Sequence, residues 1–262
     1  MKKLALCSVF TVFCGVLLFA QNYKDGFYFA QDENFANNQK NQVVVGVKGG
    51  KIASANWNIE SLNAGAQDLK SIARAGTVAG AVTWAGQAKA AEDYLVSSQN
   101  INATSVPNGP ANVKPFFDLV KKALDSKSVA VAKGSYKDGW YYAIEDGADQ
   151  YHTKNYVLLT VVNGTIVDVL WNGVLQGMPS SINPSKIITS MSNGNKGYPM
   201  ENLNPQRAWH IQAAGATAEL VKVQNPDSIK TKPNGKPDAI SGVTIEIDRF
   251  LTISKLALQS AK

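Results

Sequence analysis

The feature that most constrains the fold of this 262-residue chain is a long internal repeat. The segment 23–30 returns as 136–143, and three further blocks return in the same order. The offset between the copies is 113 to 114 residues in the early blocks and 125 in the later ones, so about eleven residues are added between 172 and 205 of the second copy. Four matching blocks in one order indicate a duplicated unit. The other three blocks pair 43–58 with 157–172, 84–88 with 209–213, and 95–100 with 220–225.

Both copies predict the same secondary structure. Runs of aromatic and β-branched residues predict strands, and the pairs Gly49-Gly50 and Asn163-Gly164 predict tight hairpin turns. Apolar residues at helical spacing predict helices later in each copy. The fold class is therefore α+β, with two tandem copies of a small domain in which helices pack on a hairpin-rich antiparallel sheet. Predicted strands are 23–30, 43–47, 51–57, 136–144, 156–162 and 165–171, and predicted helices are 87–96, 113–124, 212–220 and 244–258.

The first twenty residues predict export. Lys2 and Lys3 precede an apolar stretch over 4–20, which is the layout of a secretory signal peptide, with cleavage expected after Ala20. A lipid-modified Cys14 and an uncleaved membrane anchor remain open as alternatives. The mature protein is expected in the periplasm or on the outer face of the cytoplasmic membrane.

Composition excludes several kinds of partner and site. The formal net charge is +6, but the basic residues are mostly scattered lysines, so we expect no nucleic-acid partner. Few soft ligands are present, so neither a structural zinc nor an iron–sulfur site is expected. The three arginines are Arg74, Arg207 and Arg249, the two histidines are His152 and His210, and the two cysteines are Cys7 and Cys14.

The loop before the last predicted helix carries the most specific pattern in the chain. In the segment 238–244, Gly242 allows a tight turn, and Thr244 is expected at or beside a helix N-cap that favours an anion such as phosphate. Capping of the helix by Ser241 or Thr244 alone is the other interpretation. The first copy has no hydroxyl residue at the position of Thr244.

The pattern Asp238-x-x-Ser241-Gly242-x-Thr244 resembles the flavinylation motif of the FMN-binding domain family. That family includes the C subunits of sodium-pumping NADH:quinone reductase and of its ferredoxin-linked relative. The resemblance implies FMN joined through its phosphate to Thr244 by a separate flavin transferase that uses FAD and magnesium. It covers a degenerate domain over 21–127 and a second domain over 128–262, and only the second domain has the motif.

Further site residues follow from this resemblance and from the chemistry of FMN. We expect Asp238 to help the transferase recognise or activate the site, and Ser241 and the amides around Gly242 to hold the phosphate. The flat ring of the flavin needs flat apolar partners, and His210 is a candidate for tuning it. We expect no catalytic residue and no metal ligand in the chain itself. The candidate aromatic partners are Trp209, Tyr141 and Trp171.

These features predict an exported electron carrier, with the flavin moving the electrons and the protein supplying position and electrostatics. Its electron donor and acceptor are not identified by the sequence, and a membrane redox complex is one candidate. One residue departs from the family pattern: Val243 stands where alanine is usual, and its β-branched side chain adds bulk beside the acceptor. The alternatives are therefore a non-redox binding protein with an inactive motif, and a protein that holds FMN without a covalent bond.

Overall fold

The computed structural model describes residues 23–62, 68–125, 127–148, 153–175 and 208–262. In these ranges the fold is α+β, as predicted, with two three-stranded antiparallel sheets and five α-helices. The predicted signal peptide and most of the segment added to the second copy lie outside the described residues. Among the described helices, none combines the length and apolar character that a membrane span requires.

The two sheets have the same strand order, with the middle strand of the sequence at the centre. The first sheet has the order β1-β2-β3 and the second has β4-β5-β6. The strands are β1 Gly26–Gln31, β2 Gln39–Lys48, β3 Lys51–Ser61, β4 Gly139–Ile144, β5 Thr153–Val162 and β6 Thr165–Leu175. The helices are α1 Leu69–Ala75, α2 Ala79–Ser98, α3 Lys114–Leu124, α4 Trp209–Val223 and α5 Asp248–Gln259.

The predicted hairpin turns are confirmed. Gly49 and Gly50 join β2 to β3, and Asn163 and Gly164 join β5 to β6, with positive φ at all four residues. Positive φ at both central residues gives the turn the twist of the strands it joins. Each hairpin also has one irregularity at the same place, between Gly46 and Val47 in the first sheet and between Thr160 and Val161 in the second.

Helices cover one face of each sheet and form two matching cores. In the first core, Trp57 stacks on Phe116 of α3 with ring centroids 5.2 Å apart. In the second core, Trp171 stacks on Phe250 of α5 with ring centroids 4.7 Å apart. The indole N–H of each tryptophan donates to an asparagine of the central strand. The repeat in sequence is therefore also a repeat in packing.

The opposite faces of the two sheets meet each other. Side chains alternate along a strand, so Val43 and Val45 face the helices while Lys40 and Gln42 face the second sheet. Gln42 Oε1 accepts a hydrogen bond from the Trp140 indole at 2.7 Å, and Gln42 Nε2 donates to Asp168 at 3.2 Å. The Lys40 ammonium lies 3.2 Å from Asp168 and 3.0 Å from Glu60. Polar and charged groups thus form part of the contact between the sheets.

The last helix begins later than its sequence pattern predicts, and the N-cap position expected for Thr244 is wrong. α5 starts at Asp248, with Ile247 as its N-cap residue. Val243, Ile245 and Ile247 are buried while Thr244 and Glu246 are exposed. This spacing of two is typical of extended chain, in which successive side chains point to opposite sides. Counting these residues as helical placed the helix start four residues too early.

The helices before the last one in each copy are longer than predicted, and one helix was missed. α2 begins at Ala79, so the glycine-containing segment 76–86 is mostly helical. α1 was not predicted, although the Asp68 carboxylate caps it by accepting the N–H of Ser71. α1 ends at Gly76, which has a φ of 69°. A short turn at this glycine separates α1 from α2.

Candidate functional site

The motif lies on an extended loop that is fixed at both ends. Upstream, the backbone N–H of Asp238 donates to the carbonyl of Lys230 at 3.0 Å. Downstream, the N–H of Ile247 donates to the carbonyl of Gly235 at 2.8 Å. Between them, the N–H of Val243 donates to the carbonyl of Ile240 at 3.3 Å and closes a tight turn. The loop therefore has a defined backbone path rather than a free tether.

Two buried side chains hold the loop against the second core. Val243 is 6% exposed and Ile245 is 9% exposed, and both belong to the core formed by β4–β6, α4 and α5. Val243 packs on α4 at Gly215, where an added Cβ would lie 2.8 Å from a methyl carbon of Val243. The bulk of Val243 therefore points into the core, and Thr244, the next residue of an extended segment, points outward.

Thr244 is exposed and is oriented by one buried glutamine of α4. Its backbone N–H donates to Gln212 Oε1 at 2.6 Å, and its hydroxyl donates to the same oxygen at 3.0 Å. Gln212 lies in the first turn of α4 and is only 1% exposed. Because the hydroxyl hydrogen points at Gln212, the lone pairs of Oγ1 face away from it.

The remaining motif residues are on the surface around Thr244. Ser241 and Gly242 are exposed, and Gly242 has a φ of 76° with no atom within 4 Å of where a Cβ would be. Positive φ here is the backbone reason for a glycine, as the sequence predicts. Asp238 is exposed, and its carboxylate has no hydrogen-bond or ion-pair partner among the described residues.

Of the three aromatic candidates, Trp209 fits a surface site and Trp171 does not. Trp209 is half-buried at the start of α4, one turn from Gln212, and meets Trp171 edge-on at 4.8 Å. Trp171 is 2% exposed and stacked on Phe250, so the suggestion that it stacks on a flavin is wrong. Tyr141 is half-buried on β4, and its hydroxyl donates to the carbonyl of Lys137 at 2.8 Å. His210 follows Trp209 and is also half-buried.

The first copy contains the same turn without a hydroxyl residue after it. The N–H of Gly109 donates to the carbonyl of Val106 at 3.0 Å, as Val243 donates to Ile240 in the second copy. Asn108 has a φ of 58°, matching the conformation of Gly242. The residue after Gly109 is Pro110, which has neither a hydroxyl nor a backbone N–H. Neither of the two hydrogen bonds that Thr244 makes can therefore form at Pro110.

Sequence reasoning did not single out Gln212 as a site residue. The only sequence signal for it was the repeat itself, in which Gln87-Ala88 matches Gln212-Ala213. A glutamine in a helix is usually a surface residue, so its burial against the motif loop could not be predicted from residue type alone.

No protein-family model and no curated protein matches the chain. Two solved structures are similar to about half of it. A Clostridium thermocellum protein solved by NMR in solution is 35% identical, covers 47% of this chain and 90% of that chain, and gives a TM-score of 0.34. A Clostridium perfringens protein solved by crystallography is 20% identical, covers 48% and 88%, and gives a TM-score of 0.28. Both TM-scores are too low to support an argument about fold or function.

Proposed function

We propose that this chain is an exported flavoprotein that carries FMN as a phosphate ester on Thr244 and transfers electrons outside the cytoplasm. The observation that carries the proposal is the presentation of Thr244 on the motif loop. Its hydroxyl is exposed and oriented, while the residues on both sides of it are anchored in the core. We further propose that the chain consists of two tandem domains, over 21–127 and 128–262, of which only the second carries flavin.

The loop suits modification by a separate enzyme. A threonine hydroxyl is not acidic enough to attack a pyrophosphate unaided, so the base and the magnesium must come from the transferase. Such an enzyme needs the acceptor to be accessible, and Ser241, Gly242 and Thr244 are all exposed. The exposed carboxylate of Asp238 is available for contact with the transferase. Val243 does not obstruct this approach because its side chain is buried.

The surroundings also favour a bound phosphate. Gln212, which contacts Thr244, lies in the first turn of α4, and the helix dipole favours negative charge near that end. The open space at Gly242 lets a phosphate approach the backbone closely. Ser241 adds a second exposed hydroxyl three residues before the acceptor position. Together these groups would hold the phosphate of FMN.

Trp209 is our candidate for contact with the flavin ring. It is one helical turn from Gln212, so its indole lies on the side of α4 that contacts the motif loop. Its edge-on contact with Trp171 fixes the plane of the indole. When bound, FMN would supply reversible electron transfer, while the chain positions it and exposes it to partners. Those partners are an electron donor and an acceptor outside the cytoplasm, with a membrane redox complex as one candidate.

The test is co-expression with a flavin transferase, followed by denaturation in SDS. We expect in-gel flavin fluorescence and a mass increase of one FMN less one water. Thr244→Ala should abolish both, with an unchanged unfolding midpoint, because Thr244 is exposed. Pro110→Ala in the first copy is the matched control and should label fully.

The same gel separates the competing functions. Flavin that is lost on denaturation would indicate FMN held without a covalent bond. No flavin at all in the wild-type protein would indicate a non-redox binding protein with an inactive motif. Fluorescence that survives denaturation in Thr244→Ala would place the ester on another residue and would contradict the proposal.

A further inference from the structure

We infer that Gln212 is a positioning residue for the flavinylation of Thr244, a role that rests on the proposed function. A single oxygen, Gln212 Oε1, accepts both the backbone N–H and the hydroxyl of Thr244. The backbone bond fixes where the acceptor residue lies. The hydroxyl bond fixes the rotation of the side chain, which on an exposed threonine would otherwise sample several rotamers.

This orientation suits the acceptor for nucleophilic attack. In the transfer, Thr244 Oγ1 forms a bond to the phosphorus on the FMN side of FAD, and the bond from that phosphorus to the bridging oxygen breaks. AMP leaves with the bridging oxygen, and as the new bond forms the hydroxyl proton leaves its hydrogen bond to Gln212 and passes to the base of the transferase. With the hydrogen directed at Gln212, the lone pairs of Oγ1 face the exposed side, from which FAD must approach.

The rigid placement and the neutral side chain of Gln212 both suit it to position Thr244. It is 1% exposed and lies on α4, whose Gly215 contacts the neighbouring Val243, so the loop and the glutamine share one rigid support. After transfer the hydroxyl hydrogen is gone, but the N–H of Thr244 still bonds Gln212. A neutral carboxamide can stay beside the phosphodiester, whereas a carboxylate there would repel it.

The experiment measures transfer of FMN from FAD to the purified full chain by a magnesium-loaded flavin transferase, followed by intact mass. Gln212→Leu removes the acceptor atom and keeps a branched apolar side chain that is one bond shorter. We expect kcat to fall by about tenfold to a hundredfold, the range expected when a reacting atom is misplaced. The KM values for FAD and for the protein should stay within about twofold, because recognition of the loop is not altered.

Two further variants distinguish positioning from folding. Gln212→Glu keeps the acceptor oxygen, so it should restore the hydrogen-exchange protection of the Thr244 amide that Gln212→Leu loses. It should also transfer faster than Gln212→Leu but slower than wild type, because its charge opposes the incoming phosphate. Gln87→Leu, the matching glutamine of the first copy, should leave the rate unchanged.

Failure of this inference differs from failure of the proposed function. If the wild-type protein is labelled and Gln212→Leu has an unchanged kcat, Gln212 has no positioning role and only the inference is overturned. A raised KM with unchanged kcat, or equal rates for the leucine and glutamate variants, would also overturn it. If the wild-type protein is never labelled at Thr244, the proposed function fails, and the role of Gln212 fails with it.

Discussion

The loops before α3 and α5 have the same turn, but only the loop before α5 presents a hydroxyl group. In each loop a backbone hydrogen bond joins two residues three positions apart. The N–H of Gly109 donates to the carbonyl of Val106 in one loop, and the N–H of Val243 donates to the carbonyl of Ile240 in the other. Each is followed by a helix whose phenylalanine stacks on a tryptophan of the sheet. The difference is the residue after the turn, which is Pro110 in the first copy and Thr244 in the second. The turn is therefore part of the scaffold, and the threonine is the part that a function can use.

The matching cores give the largest expected effect. Phe116→Ala and Phe250→Ala each remove a fully buried ring stacked on a tryptophan. We expect each to lower the free energy of unfolding by about 3–5 kcal/mol, measured by denaturant titration. If the two copies are equivalent scaffolds, the two losses should agree within about 1 kcal/mol. A large loss for one and almost none for the other would break the comparison.

A second difference between the copies is a buried carboxyl group in the first sheet. Glu60 is fully buried, while the second sheet has Val174 at the repeated position. Burial raises the pKa of Glu60 from 4.5 to about 8, with Asp168 adding to the rise and Lys40 opposing it. Asp168 accepts hydrogen bonds from Gln31, Lys40 and Gln42. Near pH 7, Glu60 is then mostly protonated beside a Lys40–Asp168 pair.

This pKa predicts a falling stability as pH rises. Below about pH 4.5 both the folded and unfolded states hold the proton of Glu60. Between about 4.5 and 8 the unfolded state releases it while the folded state retains it, so unfolding becomes more favourable by up to about 1.4 kcal/mol per pH unit. Lys40, whose pKa is raised by both acids, stays charged throughout. Tyr156, the other nearby group, has its pKa raised by burial and stays neutral.

Glu60→Gln tests this slope. Denaturant unfolding at pH 5, 6.5 and 8 should show wild type losing stability relative to the variant as pH rises. Parallel curves for the two proteins would show that Glu60 does not change its protonation on unfolding in this range.

Two glutamines at the ends of matching helices give a smaller effect. Gln99 bonds both the N–H and the carbonyl of Ile52 at 2.9 Å, and Gln224 does the same to Ile166 at 2.7 and 2.8 Å. Replacing either with alanine leaves those strand groups without their partner. We expect each change to lower the free energy of unfolding by about 1–3 kcal/mol. Unequal losses would show that the matching hydrogen bonds contribute unequally to the free energy of unfolding.

The smallest expected effect concerns Val243, the residue that departs from the family pattern. Val243→Ala removes two buried methyl groups and should cost about 1–2 kcal/mol of stability. The rate of flavin attachment to Thr244 should stay within about twofold of wild type, because the valine side chain points away from the acceptor. A large gain in rate would show instead that the valine hinders the transferase.

Much of the fold could be predicted because its signals are local. Strand composition and the Asn163-Gly164 turn depend on neighbouring residues, and the repeat supports them by showing the same pattern twice. These signals predicted the strands of both sheets. The start of α5 was predicted wrongly, because the alternation of Val243, Ile245 and Ile247 with polar residues is short and runs directly into a helical pattern. The cluster of Lys40, Glu60 and Asp168 depends on a contact between Lys40 and Asp168, which are 128 residues apart, and a single sequence has no local signal for it.

The candidate site also combines features that follow from local sequence with one that depends on a distant residue. The exposure of Thr244 and the positive φ of Gly242 follow from the local pattern. The orientation of the hydroxyl depends on Gln212, which is 32 residues away in sequence and is recognisable only once α4 packs beside the loop. Residue types pointed to Thr244 as the candidate acceptor, and packing showed that Gln212 orients its hydroxyl.

The most direct test is the mass of the peptide that contains Thr244, isolated from protein purified from the envelope of its own host. We expect a yellow protein in which this peptide is heavier by one FMN less one water, with fragmentation placing the added mass on Thr244. The peptide containing Pro110 should have its unmodified mass. A colourless protein with an unmodified Thr244 peptide would contradict the proposed flavinylation and leave a duplicated scaffold without its flavin.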